Sequence, residues 1–320
     1  MLDVLAITFP FFALVLAGYA ATRARLLPEN AIPGLNSFVL YFALPAMLFR
    51  FGATTPILRD LSIGLFVVYV GCAFVLVAFT VAVTLSPRIG WNDAAFGALV
   101  ATFPNTGYMG IPLLIALMGE ASAGPAMATI LMDLVFTSSL CIALSQLGSA
   151  AEHGSAAAAR SALRGVLVNP LPWAIVLGVA TYLSAVAVPE PLMQAVKLLA
   201  DAASPAALFT IGAVLARSQA AAREPTPVGE VIPVVAVKLV VHPLLVLAIG
   251  HAAIDLGVPL DRYALTVIVL VATLPSASNV AMLAERFGAD NGRIARIILA
   301  TTALAFLTFS GAAALLAPGR

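Results

Sequence analysis

Leu99-Val100-Ala101-Thr102-Phe103-Pro104-Asn105-Thr106-Gly107 and, 171 positions further on, Leu270-Val271-Ala272-Thr273-Leu274-Pro275-Ser276 read as two copies of one device. Five of the first six positions are identical, and in each copy the proline lies deep inside a long apolar run. Proline has no amide hydrogen to donate and its ring clashes with the preceding turn, so a helix passing through it opens its hydrogen-bond ladder. In the hydrocarbon core of a bilayer an opened backbone persists only where protein or a water-filled cavity satisfies the freed groups. Both runs are therefore predicted to form two half-helices. The residues after each break are polar or small: Asn105, Thr106, Gly107, Gly110 and Pro112 in one, Ser276, Ser278 and Asn279 in the other.

A second pair of matching segments supports a duplication. Ala43-Leu44-Pro45-Ala46-Met47-Leu48-Phe49-Arg50-Phe51-Gly52 agrees at six of ten positions with Ala203-Ser204-Pro205-Ala206-Ala207-Leu208-Phe209-Thr210-Ile211-Gly212. The chain is 320 residues long, 62% hydrophobic and 10% charged, with a mean hydropathy of +1.07. Soluble domains sit near 45–50% apolar and about 25% charged, so the bilayer is the expected solvent. A crossing helix needs about 20 apolar residues. Ten such runs can be drawn, at 3–21, 33–51, 61–85, 92–117, 122–147, 166–187, 192–216, 231–254, 261–287 and 293–317. Stretches such as Leu61 to Leu85 are continuously apolar rather than alternating, which excludes a transmembrane β-barrel. Both matched pairs join run n to run n+5. The predicted fold is thus an all-α integral membrane protein with ten transmembrane helices in two five-helix repeats, 1–147 and 166–320, joined by a Gly/Ser/Ala-rich cytoplasmic linker at 148–165. Five is odd, so the repeats enter the membrane from opposite sides and are inverted.

Charge placement sets an orientation. Ten of the 16 basic residues fall in the connections after odd-numbered runs, including Arg23, Arg25, Arg217 and Arg293, and four fall on the other side. The excess of Lys and Arg marks the cytoplasmic face, placing both termini on the non-cytoplasmic side. The first run begins Met1-Leu2-Asp3 without a basic leader and reads as a retained span. A net charge of +1 without a basic patch argues against nucleic acid as a partner. Cys72 and Cys141 lie in apolar runs and read as small hydrophobes. His153, His242 and His251 form no His-x-x-x-His pair and no Gly-x-Ser-x-Gly occurs, so neither a metal hydrolase nor a serine hydrolase is expected, and no metal or cofactor is called for.

Inverted repeats with broken helices are the architecture of secondary transporters, where substrate binds near the bilayer midplane. Freed amides at half-helix N-termini favour a carboxylate, and freed carbonyls favour a cation. Pro104, Asn105, Thr106, Pro275, Ser276 and Asn279 are the candidate substrate-binding residues. Ionisable groups at membrane depth are candidates for coupling or support. Asp133 has Thr129 and Thr137 one turn away; Asp201 follows Lys197 by four residues, the spacing of an ion pair; Lys238 and His242 stand four apart on one face, suited to pair with a substrate carboxylate or with Asp133.

The run Pro104-Asn105-Thr106 followed by Met109-Gly110-Ile111-Pro112-Leu113-Leu114 closely resembles the fourth-helix motif of the auxin efflux carrier family, which includes plant PIN proteins and bacterial carriers of malonate and related acids. Leu274-Pro275, the stretch Ala281 to Phe287 and Asp290 resemble that family's ninth helix and following turn, with Ser276 and Asn279 standing where the family has an Asn-Pro or Pro-Gln pair. The resemblance implies helices four and nine crossing at their prolines with substrate beside the crossing, a scaffold of helices one, two, six and seven, and a mobile unit of three to five and eight to ten that moves as an elevator. It also implies a homodimer through the scaffold in a bacterial inner membrane, and a small organic anion, auxin-like or a mono- or dicarboxylate, as substrate. The other transporter reading is a sodium- or proton-coupled symporter or antiporter resembling the bile-acid or sodium/proton families.

Overall fold

The computed structural model describes residues 2–54, 62–145, 170–184, 187–221 and 227–316. These residues form twelve helical segments: α1 (Leu2–Arg23), α2 (Glu29–Thr54), α3 (Ile63–Thr84), α4 (Trp91–Thr102), α5 (Thr106–Met118), α6 (Glu120–Ser145), α7 (Pro170–Ser184), α8 (Glu190–Ala221), α9 (Val228–Asp255), α10 (Arg262–Thr273), α11 (Asn279–Arg286) and α12 (Asn291–Leu316). Among the described residues no strand longer than a single bridge occurs. Seven of the segments, α1, α2, α3, α6, α8, α9 and α12, are long and apolar enough to cross a membrane. The runs at 92–117 and 261–287, expected as the fourth and ninth crossings, are each split into two helices, and the described residues 170–184 of the run at 166–187 form α7. The expected linker at 148–165 lies outside the described residues.

Local sequence accounts for the boundaries. Ser62 caps α3 by accepting from the Leu65 amide at 3.1 Å, and Asp261 caps α10 by accepting from Ala264 at 3.1 Å. Between α5 and α6 the backbone reverses at Gly119, whose φ of 86° is strained for any residue with a Cβ.

Two packing groups emerge. α1 lies along α8, and α2 lies between α7 and α8. These contacts are made at glycines. A Cβ on Gly18 would sit 1.9 Å from the Phe209 carbonyl oxygen and one on Gly212 1.9 Å from that of Val15, so α1 and α8 meet backbone to backbone. A Cβ on Gly178 would sit 2.5 Å from the Phe49 oxygen and one on Gly52 3.1 Å from the Ile175 oxygen, so α2 and α7 meet in the same way. Every partner in the second set lies 160 positions from its counterpart in the first. Lipid tails are as apolar as leucine, so close van der Waals approach through small residues is what holds such helices together.

In the other group α3 packs on α4 and α9, α4 on α6, and α10 on α9 and α12. α4 is buried continuously from Ala94 to Thr102 and α10 from Val267 to Thr273. The two helices that end in breaks therefore occupy the centre, screened by the longer helices around them. Between the groups, along α1, α8 and α12, lies an apolar cleft of about 660 Å³ lined by Phe9, Phe12, Leu16, Leu215, Leu299 and Phe306.

Candidate functional site

At the breaks the two interrupted helices bind each other. α4 ends at Thr102 and Phe103 turns extended; α10 ends at Thr273 and Leu274 turns extended. The extended segments run antiparallel with Pro104 opposite Ser276. The Asn105 amide donates to the Pro275 carbonyl at 2.8 Å, and the Ala277 amide donates to the Phe103 carbonyl at 3.0 Å. Backbone groups that proline releases from one helix are thus satisfied by the other, as a buried irregular backbone requires. The Ser276 amide is held by Thr301 Oγ1 of α12 at 3.3 Å. α5 starts again at Thr106 and α11 at Asn279, so two helix N-termini, with their partial positive charge, begin next to the crossing.

The predicted residues Pro104, Asn105, Thr106, Pro275 and Ser276 are brought together and buried, with Asn279 half-buried at the head of α11. Their side chains are unusual for a protein interior. Thr102 Oγ1, Asn105 Oδ1, Thr106 Oγ1, Ser276 Oγ and Asn279 Oδ1 are buried oxygens without a hydrogen-bond partner among the described residues. Most buried polar atoms are paired, since leaving one unpaired costs about 1–3 kcal/mol. The hydroxyls and amides can donate as well as accept, so the crossing can clasp a small polar solute of either sign.

Next to the crossing lie four titratable side chains. Asp133 is fully buried and accepts at both oxygens, from Tyr69 OH at 2.8 Å and from Thr137 at 2.9 Å. The expected neighbour Thr129 instead donates to the Ala126 carbonyl of its own helix, and Tyr69 of α3 takes that place. Sequence reading missed Tyr69, although a hydroxyl in the unbroken apolar run of α3 was its signal. Lys238 Nζ lies 3.1 Å from His242 Nδ1 and donates to the Ala272 carbonyl at 3.3 Å. Ala101 and Ala272 are corresponding positions of the two sequence copies. In unbroken helices their carbonyls would accept from Asn105 and Ser276, whose amides are committed across the crossing and to Thr301. Lys238 therefore fills the acceptor that the second break exposes. With Lys238 charged, His242 accepts at Nδ1, which leaves the ring proton on Nε2. Asp133 and Lys238 both sit in widened, π-type turns, Asp133–Thr137 and Val237–Val241; such turns bulge a residue inward and recur at functional sites.

Asp201 does not belong to this cluster. It pairs with Arg50 of α2 at 2.7 Å rather than with Lys197, and both partners are partly exposed, because α2 and α8 pack together and bring the guanidinium closer than the next turn of the same helix. Arg293, counted above among the connection charges, is buried at the start of α12 and donates to the carbonyls of Asp93 at 3.0 Å and Glu230 at 3.2 Å. It braces the ends of three helices.

Comparison with known proteins identifies the family. Residues 4–312 match the family described as "Membrane transport protein". A protein of Rhizobium meliloti (strain 1021) named "Putative malonate transporter" is 30% identical over 312 residues, covering 97% of this chain and 95% of its own. An uncharacterized transporter of Escherichia coli (strain K12), YfdV, is 28% identical over 306 residues, 93% and 92% of the two chains. Auxin efflux carrier component 7 of Arabidopsis thaliana is 27% identical over 147 residues, 44% of this chain and 23% of its own. The match across nearly the whole chain, with two broken helices joined through their backbones, makes this protein a membrane transporter, not an enzyme, belonging to the membrane transport protein family of auxin efflux carriers.

Proposed function

We propose that the chain is a secondary transporter of small organic anions, with the substrate held at the crossing by Asn105, Thr106, Ser276 and Asn279 against the N-termini of α5 and α11. The observation that carries this reading is the set of five unpartnered buried oxygens around two paired helix breaks. A carboxylate suits two helix N-termini better than a cation does, because the partial charge at a helix N-terminus is positive. Malonate is the first substrate to try, in view of the printed name of the Rhizobium relative.

The architecture in this reading is ten crossings in two inverted repeats, 1–147 and 166–320. In support, the glycine contacts that join α1 to α8 recur 160 positions apart between α2 and α7. α1, α2, α7 and α8 act as the scaffold, through which two copies dimerise, and α3–α6 with α9–α12 form the mobile unit. The apolar, loosely filled cleft between α1 and α12 suits a sliding seam, since it offers few directional bonds to break. Elevator-type movement then carries the crossing between the two faces. The host is a bacterial inner membrane with both termini non-cytoplasmic, as the arginine distribution favours.

Uptake of labelled malonate, malate, lactate and indole-3-acetate into proteoliposomes tests the reading. Asn105→Ala and Asn279→Ala should each lower uptake of the transported acid about tenfold, the equivalent of one hydrogen bond of about 1.4 kcal/mol. Unchanged uptake in both variants would remove the crossing as the site.

A further inference from the structure

Among the described residues the fully buried charged side chains are few: Asp133, Lys238 and, at the far end of α12, Arg293, with the titratable His242 beside Lys238. Asp133 and Lys238 influence each other electrostatically, yet they are not in contact, since the ion pair found within 4.0 Å among those residues is that of Arg50 with Asp201. Lys238 has three donors. Two of them are committed, to His242 and to the Ala272 carbonyl, and the second bond anchors the ammonium at the end of α10, beside Leu274, Pro275 and Ser276. One buried cation is therefore bonded at the end of the helix that leads into the crossing, where the polar side chains lack partners, and it shares the described interior with a single buried carboxylate, Asp133.

Buried charge is tolerated when it is balanced. Without a solute, ionised Asp133 balances Lys238, consistent with two hydroxyls donating to its two oxygens and none accepting from it. A singly charged carboxylate, such as lactate or the hydrogen form of malonate, competes at the crossing for the same ammonium and leaves one negative charge in excess. The remaining titratable groups do not absorb that excess. His242 takes a second proton only by losing its bond from Lys238 and placing two cations 3.1 Å apart. Tyr69 is already a donor to Asp133, and Cys72 and Cys141, beside Tyr69 and Asp133, are neutral thiols. The charged residues of the other helices packed around the cluster lie at helix ends: Asp93 on α4, Arg262 on α10, Arg293 and Arg296 on α12.

We infer that Asp133 is a proton-binding site coupled to the anion, with Lys238 as the shared counter-charge. On loading, the substrate carboxylate takes over Lys238 and the Asp133 carboxylate accepts one proton to become a carboxylic acid; on release, the proton leaves and Asp133 reclaims Lys238. The anion and one proton travel together, and the empty carrier returns without either. His242 is a positioning residue that holds Lys238 against the break. The inference rests on the anion reading above.

The test uses purified protein in proteoliposomes with labelled malonate, measuring net uptake and, separately, exchange against malonate trapped inside. In the native protein an acidic exterior should speed net uptake several-fold, a sodium gradient should not, and an entrapped pH dye should record proton entry with malonate. Asp133→Asn should retain exchange, which needs no return of the empty carrier, while net uptake becomes slow and indifferent to the pH gradient. Lys238→Met should lose exchange. Tyr69→Phe, which removes a donor to the carboxylate and lets protons bind more readily, should move the pH profile of uptake to higher pH. Native uptake blind to the pH gradient, or an Asp133→Asn variant as responsive as the native protein, would overturn proton coupling while leaving anion transport intact. Absence of malonate exchange in the native protein, equal to that of Asn105→Ala, would instead strike down the anion reading and this inference with it.

Discussion

Tyr69 illustrates how much one hydroxyl does at membrane depth. Its bond to Asp133 spans 64 positions and ties α3 to the widened turn of α6. A hydrogen bond to a charged group contributes about 1.5–3 kcal/mol, so Tyr69→Phe should lower the unfolding midpoint of the detergent-solubilised protein by several degrees, while Tyr41→Phe, at an exposed position, should leave it unchanged. Arg293 allows a similar comparison. Replacing it by Met keeps most of the packing volume but removes its bonds to the carbonyls of Asp93 and Glu230, and the expected loss is about 2–4 kcal/mol in the same measurement. Asn105, Thr106, Ser276 and Asn279 behave differently. Their oxygens already lack partners, so Ser276→Ala removes no protein bond and should cost little stability, although it faces the crossing.

At the level of elements, the breaks explain why α4, α5, α10 and α11 are short. Each proline ends a helix, the next residues run extended for one bridge, and a fresh helix begins. Proline acts locally, so the positions of both interruptions are legible in the sequence. The partner of each interruption is not, because it depends on how helices separated by most of the chain lie in space. The glycine contacts belong to the same scale. A Cβ on Gly212 would fall 1.9 Å from the Val15 oxygen, whereas one on Gly71 meets nothing within 4 Å. Gly212→Ala must therefore push α1 from α8 and should cost about 1–3 kcal/mol. Gly71→Ala should stabilise slightly, by up to about 1 kcal/mol, since alanine is the better helix former. Thermal unfolding of the two variants side by side checks this.

For the whole molecule, the elevator movement proposed above turns on whether the group α1, α2, α7, α8 moves relative to the rest. Thr8 Oγ1 and Ser310 Oγ stand 3.1 Å apart across α1 and α12, one side chain on each side of the seam. Their separation is compatible with a disulfide after both are changed to cysteine. The double variant Thr8→Cys, Ser310→Cys should transport when reduced, stop when oxidised and recover on reduction, whereas full activity in the oxidised form would mean that the two groups do not slide. Composition, the ten apolar runs, the two proline breaks and the repeated segments are all carried by the sequence alone, because hydrophobicity, helix breaking and duplication are properties of short stretches. Family membership follows from the same stretches. Only the tertiary structure decided which groups meet: Tyr69 with Asp133, Lys238 with the Ala272 carbonyl 34 positions away, Arg50 with Asp201 151 positions away, and one broken helix with the other. A buried polar group takes whatever partner packing delivers to it, and in a bundle of apolar helices that is settled by which glycines allow which backbones to approach.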